Sequence, residues 1–181
     1  MIALKLNTHI WMSRVNRKID SYLKHKNIRL LELEWNNYEL LENDRNHFTI
    51  KGFHKFSESL SDKINNIVPS DSSLLILADS TIDYWNYDLE NNKTNYADNY
   101  IKDLINSPVD IDSVCGSGFC AMKSKKQDFI SRLKSNYNKY DFILFIGGWN
   151  DKKYSNKKLR DSIKEIDSLK YKKLNFGHSL L

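Results

Sequence analysis

Two runs, LLILA at 74–78 and FILFIGG at 142–148, constrain this chain more than anything else in it. Each has the length of a strand, each is bounded by turn residues, and neither alternates with polar positions. A strand apolar on both faces needs cover on both faces. That requirement predicts two central strands of a parallel sheet with helices packed on either side.

The rest of the chain supplies the cover. IALKLN at 2–7 and IRLLEL at 28–33 read as short strands, and VDIDSVC at 109–115 alternates like one. Between them lie amphipathic segments. Residues 13–26 place Val15, Ile19 and Leu23 on one helix face. From Thr49, the expected N-cap, a second helix aligns Phe53, Phe56, Leu60 and Ile64. NNIVPSDSS breaks that helix. Further helices are expected over 96–106, over 122–138 with Phe129, Ile130 and Leu133, and over 156–172 with Leu159, Ile163, Ile166 and Leu169 inward. EWNNYELLENDRN reads as a loop. Five strands alternating with helices define an α/β fold with a parallel sheet wrapped on both faces.

At 181 residues the expectation is one domain, 1–181. Apolar side chains make up 40 % of the chain and aromatics 12 %, enough for a core and too much for disorder. The net charge of +5 is the kind of balance that attracts nucleic acid. Yet the lysines are interleaved with acids, as in KKYSNKKLRDSIKEIDSLKYKK, which reads as a solvated helix face; no nucleic-acid partner is expected. Cys115 and Cys120 in CGSGFC have no second Cys/His pair at zinc spacing, and a disulfide between them would close a very small loop. Free thiols in a reducing compartment and no structural metal are expected. No apolar run reaches the ~20 residues that cross a bilayer, and MIALKLNTHI is too short and polar for a signal peptide. A cytoplasmic protein without a membrane span is the resulting expectation.

In sheets of this kind ligands bind beyond the carboxyl ends of the strands, where strand order reverses. After LLILA comes the sequence DSTIDYW, in which Ser80 follows Asp79 at the start of a helix. A serine there can present its hydroxyl to a crevice, with helix-start amides facing a developing negative charge. The same pair also serves as an ordinary helix cap. After FILFI comes GGWND, whose glycines allow close backbone approach and whose Asn150 offers an amide donor; it is also a plain turn composition. Gly116 and Gly118 in CGSGF again free the backbone beside a strand end, but no phosphate-loop lysine follows. NDRNHFTIKGFHKF holds Asp44 and His47 three apart in a loop, so the carboxylate can orient the imidazole. His54 falls within the helix pattern and reads as a packed or surface histidine. His9, His25 and His178 have no partnered motif.

Taken together, these four segments resemble the SGNH (GDSL-like) hydrolases across nearly the whole chain. ADS at 78–80 is similar to the first block of that family, usually G-D-S, with Ala78 in place of the glycine. CGSG matches the second block through Gly118, GWND at 148–151 matches G-x-N-D in full, and DRNHFTIKG at 44–52 resembles the D-x-x-H block. The order departs from the family: D-x-x-H comes last there and first here. A circular permutation accounts for this, with the cut before IALKLN and NNIVPSDSS joining the former ends. Domain termini often lie close together, so such a rearrangement is physically accessible.

The resemblance implies a three-layer α/β/α sandwich with a five-stranded parallel sheet, flavodoxin-like and circularly permuted. It implies a serine esterase acting on a small acyl ester, acetyl among them, carried by a small molecule, a glycan or a lipid. Ser80 would be the nucleophile, His47 the general base and Asp44 its orienter. The Ser80 and Gly118 N–H groups and the Asn150 side chain would form the oxyanion hole, and Asp79 would support the loop. No metal or organic cofactor is required. Trp149, Tyr84 and Trp85, with Trp35, are candidates to line an acyl or sugar pocket, and equally candidates for the core. The competing expectation is an SGNH-like module that binds a glycan or protein without hydrolysis.

Overall fold

The computed structural model describes residues 2–7, 29–34, 38–44, 46–88, 93–136 and 139–168. The helix expected over 13–26, Trp35 and the histidines at 9, 25 and 178 lie outside them. The chain is α/β with a parallel sheet, as its pattern of apolar runs predicts. The strands are β1 (Ile2–Asn7), β2 (Arg29–Glu34), β3 (Leu74–Ala78), β6 (Val109–Ser113) and β7 (Phe142–Ile146). They pair in the order β2-β1-β7-β3-β6, every neighbouring pair parallel. A short antiparallel ribbon, β4 (Tyr87–Asp88) with β5 (Lys93–Thr94), stands apart from this sheet.

The two fully apolar runs are neighbours, paired from Leu74 with Phe142 to Ala78 with Ile146, and all ten of their residues are buried. Their pleat explains the composition. Leu74, Ile76 and Ala78, with Phe142, Leu144 and Ile146, share one core with Phe53, Phe56, Leu60 and Ile64 of helix α1 (Ile50–Asn65). Ala97 and Ile101 of α3 (Tyr96–Leu104) complete that face. Leu75, Leu77, Ile143 and Phe145 point the other way, against Phe129, Ile130 and Leu133 of α4 (Phe129–Asn136). Each large side chain so buried contributes roughly 1.5–3 kcal/mol, so a polar residue anywhere in either run would oppose one core or the other.

Thr49 caps α1 as expected, its hydroxyl accepting from the Gly52 N–H at 3.0 Å. Gly52 is required there, since a Cβ would stand 2.0 Å from the Glu39 carbonyl oxygen. Helix α5 (Asn156–Ser168) buries Ile163 and half-buries Leu159. The helix expected over 122–138 is shorter. Met122 and Lys126 adopt positive φ, 64° and 57°, around a single 3₁₀ turn at Lys123–Lys125. Helix α4 starts only where the Asp128 carboxylate accepts from the Ile130 and Ser131 N–H groups. Two left-handed residues in five break a helix that periodicity alone would carry through. Among the described residues no helix is long and apolar enough to cross a membrane.

Candidate functional site

Strands β3, β6 and β7 end side by side, Ala78 between Ser113 and Ile146. The chain leaves β3 for β6 on one side and returns to β7 on the other. The carboxyl ends of β3 and β7 therefore flank the reversal of strand order, the place where open α/β sheets bind ligands.

Ser80 opens a one-turn helix, α2 (Ser80–Asp83), directly after β3. The capping role belongs to Asp79: its carboxylate accepts from the Thr81 N–H at 2.9 Å and the Thr81 hydroxyl at 2.7 Å. Ser80, half-exposed, is thus released from capping. Among the described residues its hydroxyl makes no hydrogen bond and its N–H has no acceptor.

The β7 loop closes over the same point. Gly147 has φ +147°, and a Cβ on it would meet Asp79 Oδ2 at 2.6 Å, so only glycine lets β7 run so close to the Asp79 carboxylate. Asn150 follows in a 3₁₀ turn (Trp149–Asp151) and donates through Nδ2 to Asp79 Oδ2 at 3.2 Å and to the Ser117 carbonyl at 2.9 Å. Both of its amide protons are engaged. Gly118, next to Ser117, is pinned from two sides: Asn150 holds the preceding carbonyl, and the Phe129 N–H bonds Gly118 O at 2.9 Å. The Gly118 N–H has no acceptor among the described residues.

Asp151 anchors that loop from below. Its buried carboxylate accepts from the N–H groups of Phe119, Cys120 and Ala121 at 2.7, 2.9 and 2.9 Å. A Cβ on Gly118 would strike it at 2.6 Å. Burial raises the carboxyl pKa of both Asp79 and Asp151 above the usual value, against the pull of their hydrogen bonds, and the charge of Asp151 raises Asp79 further.

Asp44 and His47 arrive from the segment before α1. An isolated bridge between Leu40 and Phe48 and the Leu41 N–H to His47 O bond of 3.0 Å close this loop. Phe48 is buried beneath it, stacked on Phe56 and edge-on to Tyr38. His47 Nδ1 is hydrogen-bonded to Asp44 Oδ2, and this bond holds the Asp44 carboxyl below its usual range. The imidazole stacks on Tyr84, ring centres 4.3 Å apart and 16° from parallel, just past α2. Trp85 Nε1 donates to the Phe48 carbonyl at 3.1 Å. These two contacts dock the His47 loop on the Ser80 helix. Among the described residues no direct hydrogen bond joins Ser80 to His47.

Of the aromatic candidates, Tyr84 and Trp149 are 39 % and 40 % exposed, while Trp85 turns inward against the core. The Lys152 ammonium lies 4.8 Å from the Trp149 ring centre. His54 is a packing residue, stacked on Tyr100 and hydrogen-bonded to the Tyr96 hydroxyl at 2.7 Å. Cys115 and Cys120 are free thiols, and burial with the nearby Asp83 carboxylate pushes Cys115 up to about 12. Among the described residues no group of three or more His, Cys, Asp or Glu side chains is arranged to hold a metal ion. Sequence reasoning passed over Arg132 entirely and gave Asp151 no role. A lysine- and arginine-bearing amphipathic helix carries no mark of which cation is buried.

Comparison with known proteins yields no relative: no family model matches the chain, no curated protein does, and no solved structure does.

Proposed function

We propose that this chain is a serine esterase of the SGNH class, built on a circularly permuted, five-stranded, three-layer α/β/α sandwich. The observation that carries the reading is the strand order. Numbered from the strand before Ser80, the strands β3, β6, β7, β1 and β2 become 1 to 5. Their spatial order β6-β3-β7-β1-β2 then reads 2-1-3-4-5, the flavodoxin-like order. That is the arrangement expected if the D-x-x-H block, following β2, once closed the chain. The pairing of IALKLN beside the strand that leads to GWND, Ile2 opposite Leu144, supports this reading.

In this reading Ser80 Oγ attacks the ester carbonyl while His47 Nε2 takes its proton. The ester C–O bond then breaks as His47 gives that proton to the departing alcohol, and a water activated by His47 releases the acid and restores Ser80. Asp44 fixes the tautomer by holding Nδ1 and stabilises the imidazolium that forms. The Ser80 and Gly118 N–H groups, which have no acceptor among the described residues, receive the oxyanion. Asn150 joins them when the oxyanion displaces its longer bond, the one to Asp79. Exposed Tyr84 and Trp149 flank the acyl or alcohol part. No cofactor takes part, and the working compartment is the cytoplasm.

Labelling by a fluorophosphonate and hydrolysis of p-nitrophenyl acetate test the proposal. The wild type is expected to be labelled at Ser80 and to hydrolyse the ester, and Ser80→Ala to do neither. Hydrolysis that survives in Ser80→Ala removes the nucleophile assignment. Absence of both label and hydrolysis in the wild type favours the alternative, an SGNH-like binding module without catalysis.

A further inference from the structure

Beneath the loop that carries Gly118 lies a buried cation. Arg132, on α4, is 8 % exposed. One guanidinium nitrogen, Nη2, donates to the Ala78 carbonyl at 3.0 Å and to Ser117 Oγ at 2.9 Å. The other, Nη1, donates to the Asp112 carboxylate at 2.8 Å and also to the Asp112 carbonyl. Ser117, fully buried, returns a hydroxyl bond to Ala78 O at 3.2 Å. One planar group thus ties together the end of the strand before Ser80, the end of β6 and the residue before Gly118.

We propose that Arg132 is a positioning residue for the oxyanion hole, acting through Ser117 to hold the Gly118 N–H in register with Ser80. This inference rests on the esterase reading. A guanidinium suits the task because its donors sit in a rigid fork; a lysine presents one point charge and cannot hold three groups in a fixed plane. Ala78 is two residues from Ser80 and Ser117 is one from Gly118. A shift of the fork therefore moves the nucleophile and the oxyanion donor relative to each other. Misplacement by about 1 Å in such a site can lower the rate ~100-fold.

The test compares the wild type with Arg132→Lys, Ser117→Ala and the double variant. Fluorophosphonate titration counts competent sites, and kcat and KM for p-nitrophenyl acetate are referred to that count. Arg132→Lys is expected to lower kcat per titrated site roughly tenfold or more, with KM within about twofold. Ser117→Ala is expected to lower it by a smaller factor. The double variant should be no worse than Arg132→Lys, because the two residues act as one unit. A lower melting temperature with unchanged kcat per titrated site assigns Arg132 to stability alone and overturns the proposal. If Arg132→Lys does not fold, Ser117→Ala decides: unchanged kcat overturns the proposal, reduced kcat sustains it. A wild type that is neither labelled nor active removes the esterase reading, and this one with it.

Discussion

The two sides of the site are built by opposite means. On the Ser80 side, the loops after β3, β6 and β7 are bound to one another by buried polar groups. Asp79 holds Thr81 and Asn150, Asp151 holds three successive amides, and Arg132 joins three chain segments. On the His47 side, the Asp44–His47 pair is partly buried, Asp44 38 % and His47 18 % exposed, and rests against the Tyr84 ring. Buried networks lose heavily when any member is removed, because the partners left behind are unsatisfied. A single pair that stands partly in solvent contributes little to stability. The Ser80 side should therefore fail by unfolding, and the His47 side, under the proposed esterase reading, by losing chemistry while staying folded.

The sharpest way to break that contrast is Asp44→Asn. It leaves a hydrogen-bonding partner for His47 but favours the wrong tautomer; under the proposed mechanism it should lower kcat by about 10⁴ with an almost unchanged melting temperature. A large fall in stability would show that the His47 side is structurally integrated after all. Next in size is Asp151→Ala. It strands three amides, each costing ~1–3 kcal/mol, so a loss of about 3 kcal/mol or more is expected. Differential scanning calorimetry should register it as a fall of roughly 6–12 °C.

The buried carboxylates give the Ser80 side a pH signature. Asp79 and Asp151 bind protons more tightly folded than unfolded, their folded pKa values lying above the ordinary 3.8. Their contribution is fully present below that value and is lost as pH rises through the folded values. Urea titrations across this window should show stability declining with pH, and Asp79→Asn should flatten the decline. Asp44 acts in the opposite sense, with its pKa lowered by His47, so its contribution is lost as pH falls. The smallest effect is expected from Tyr84→Ala. It removes one ring stacked on His47, worth about 0.5–1.5 kcal/mol, and should change kcat/KM several-fold.

What could be read from the sequence follows the same division. Patterns that repeat were legible. The doubly apolar strands, the α1 face of Phe53, Phe56, Leu60 and Ile64, and the Thr49 cap all obey local rules of period and termini. The helix over 122–138 was misjudged because the left-handed turns at Met122 and Lys126 leave no trace in apolar spacing. Ser80 could not be separated from a helix cap until Asp79 was seen to do the capping. Arg132 and Asp151 act across contacts distant in sequence, and neither residue type at either position announces burial. A polar group's partners are fixed by tertiary structure, and single positions say little about them.

The pairing of Ile2 with Leu144 has a consequence for how the molecule is made. A ribosome delivers β1 and β2 before the rest of the sheet, but the neighbour of β1 on its other side is β7, which emerges after both β3 and β6. Until then β1 presents an open row of amides and carbonyls, a template for any passing strand. Closing so long a loop is slow, and chains that wait in this way are exposed to aggregation. Nascent-chain folding should therefore lag until β7 has cleared the exit tunnel.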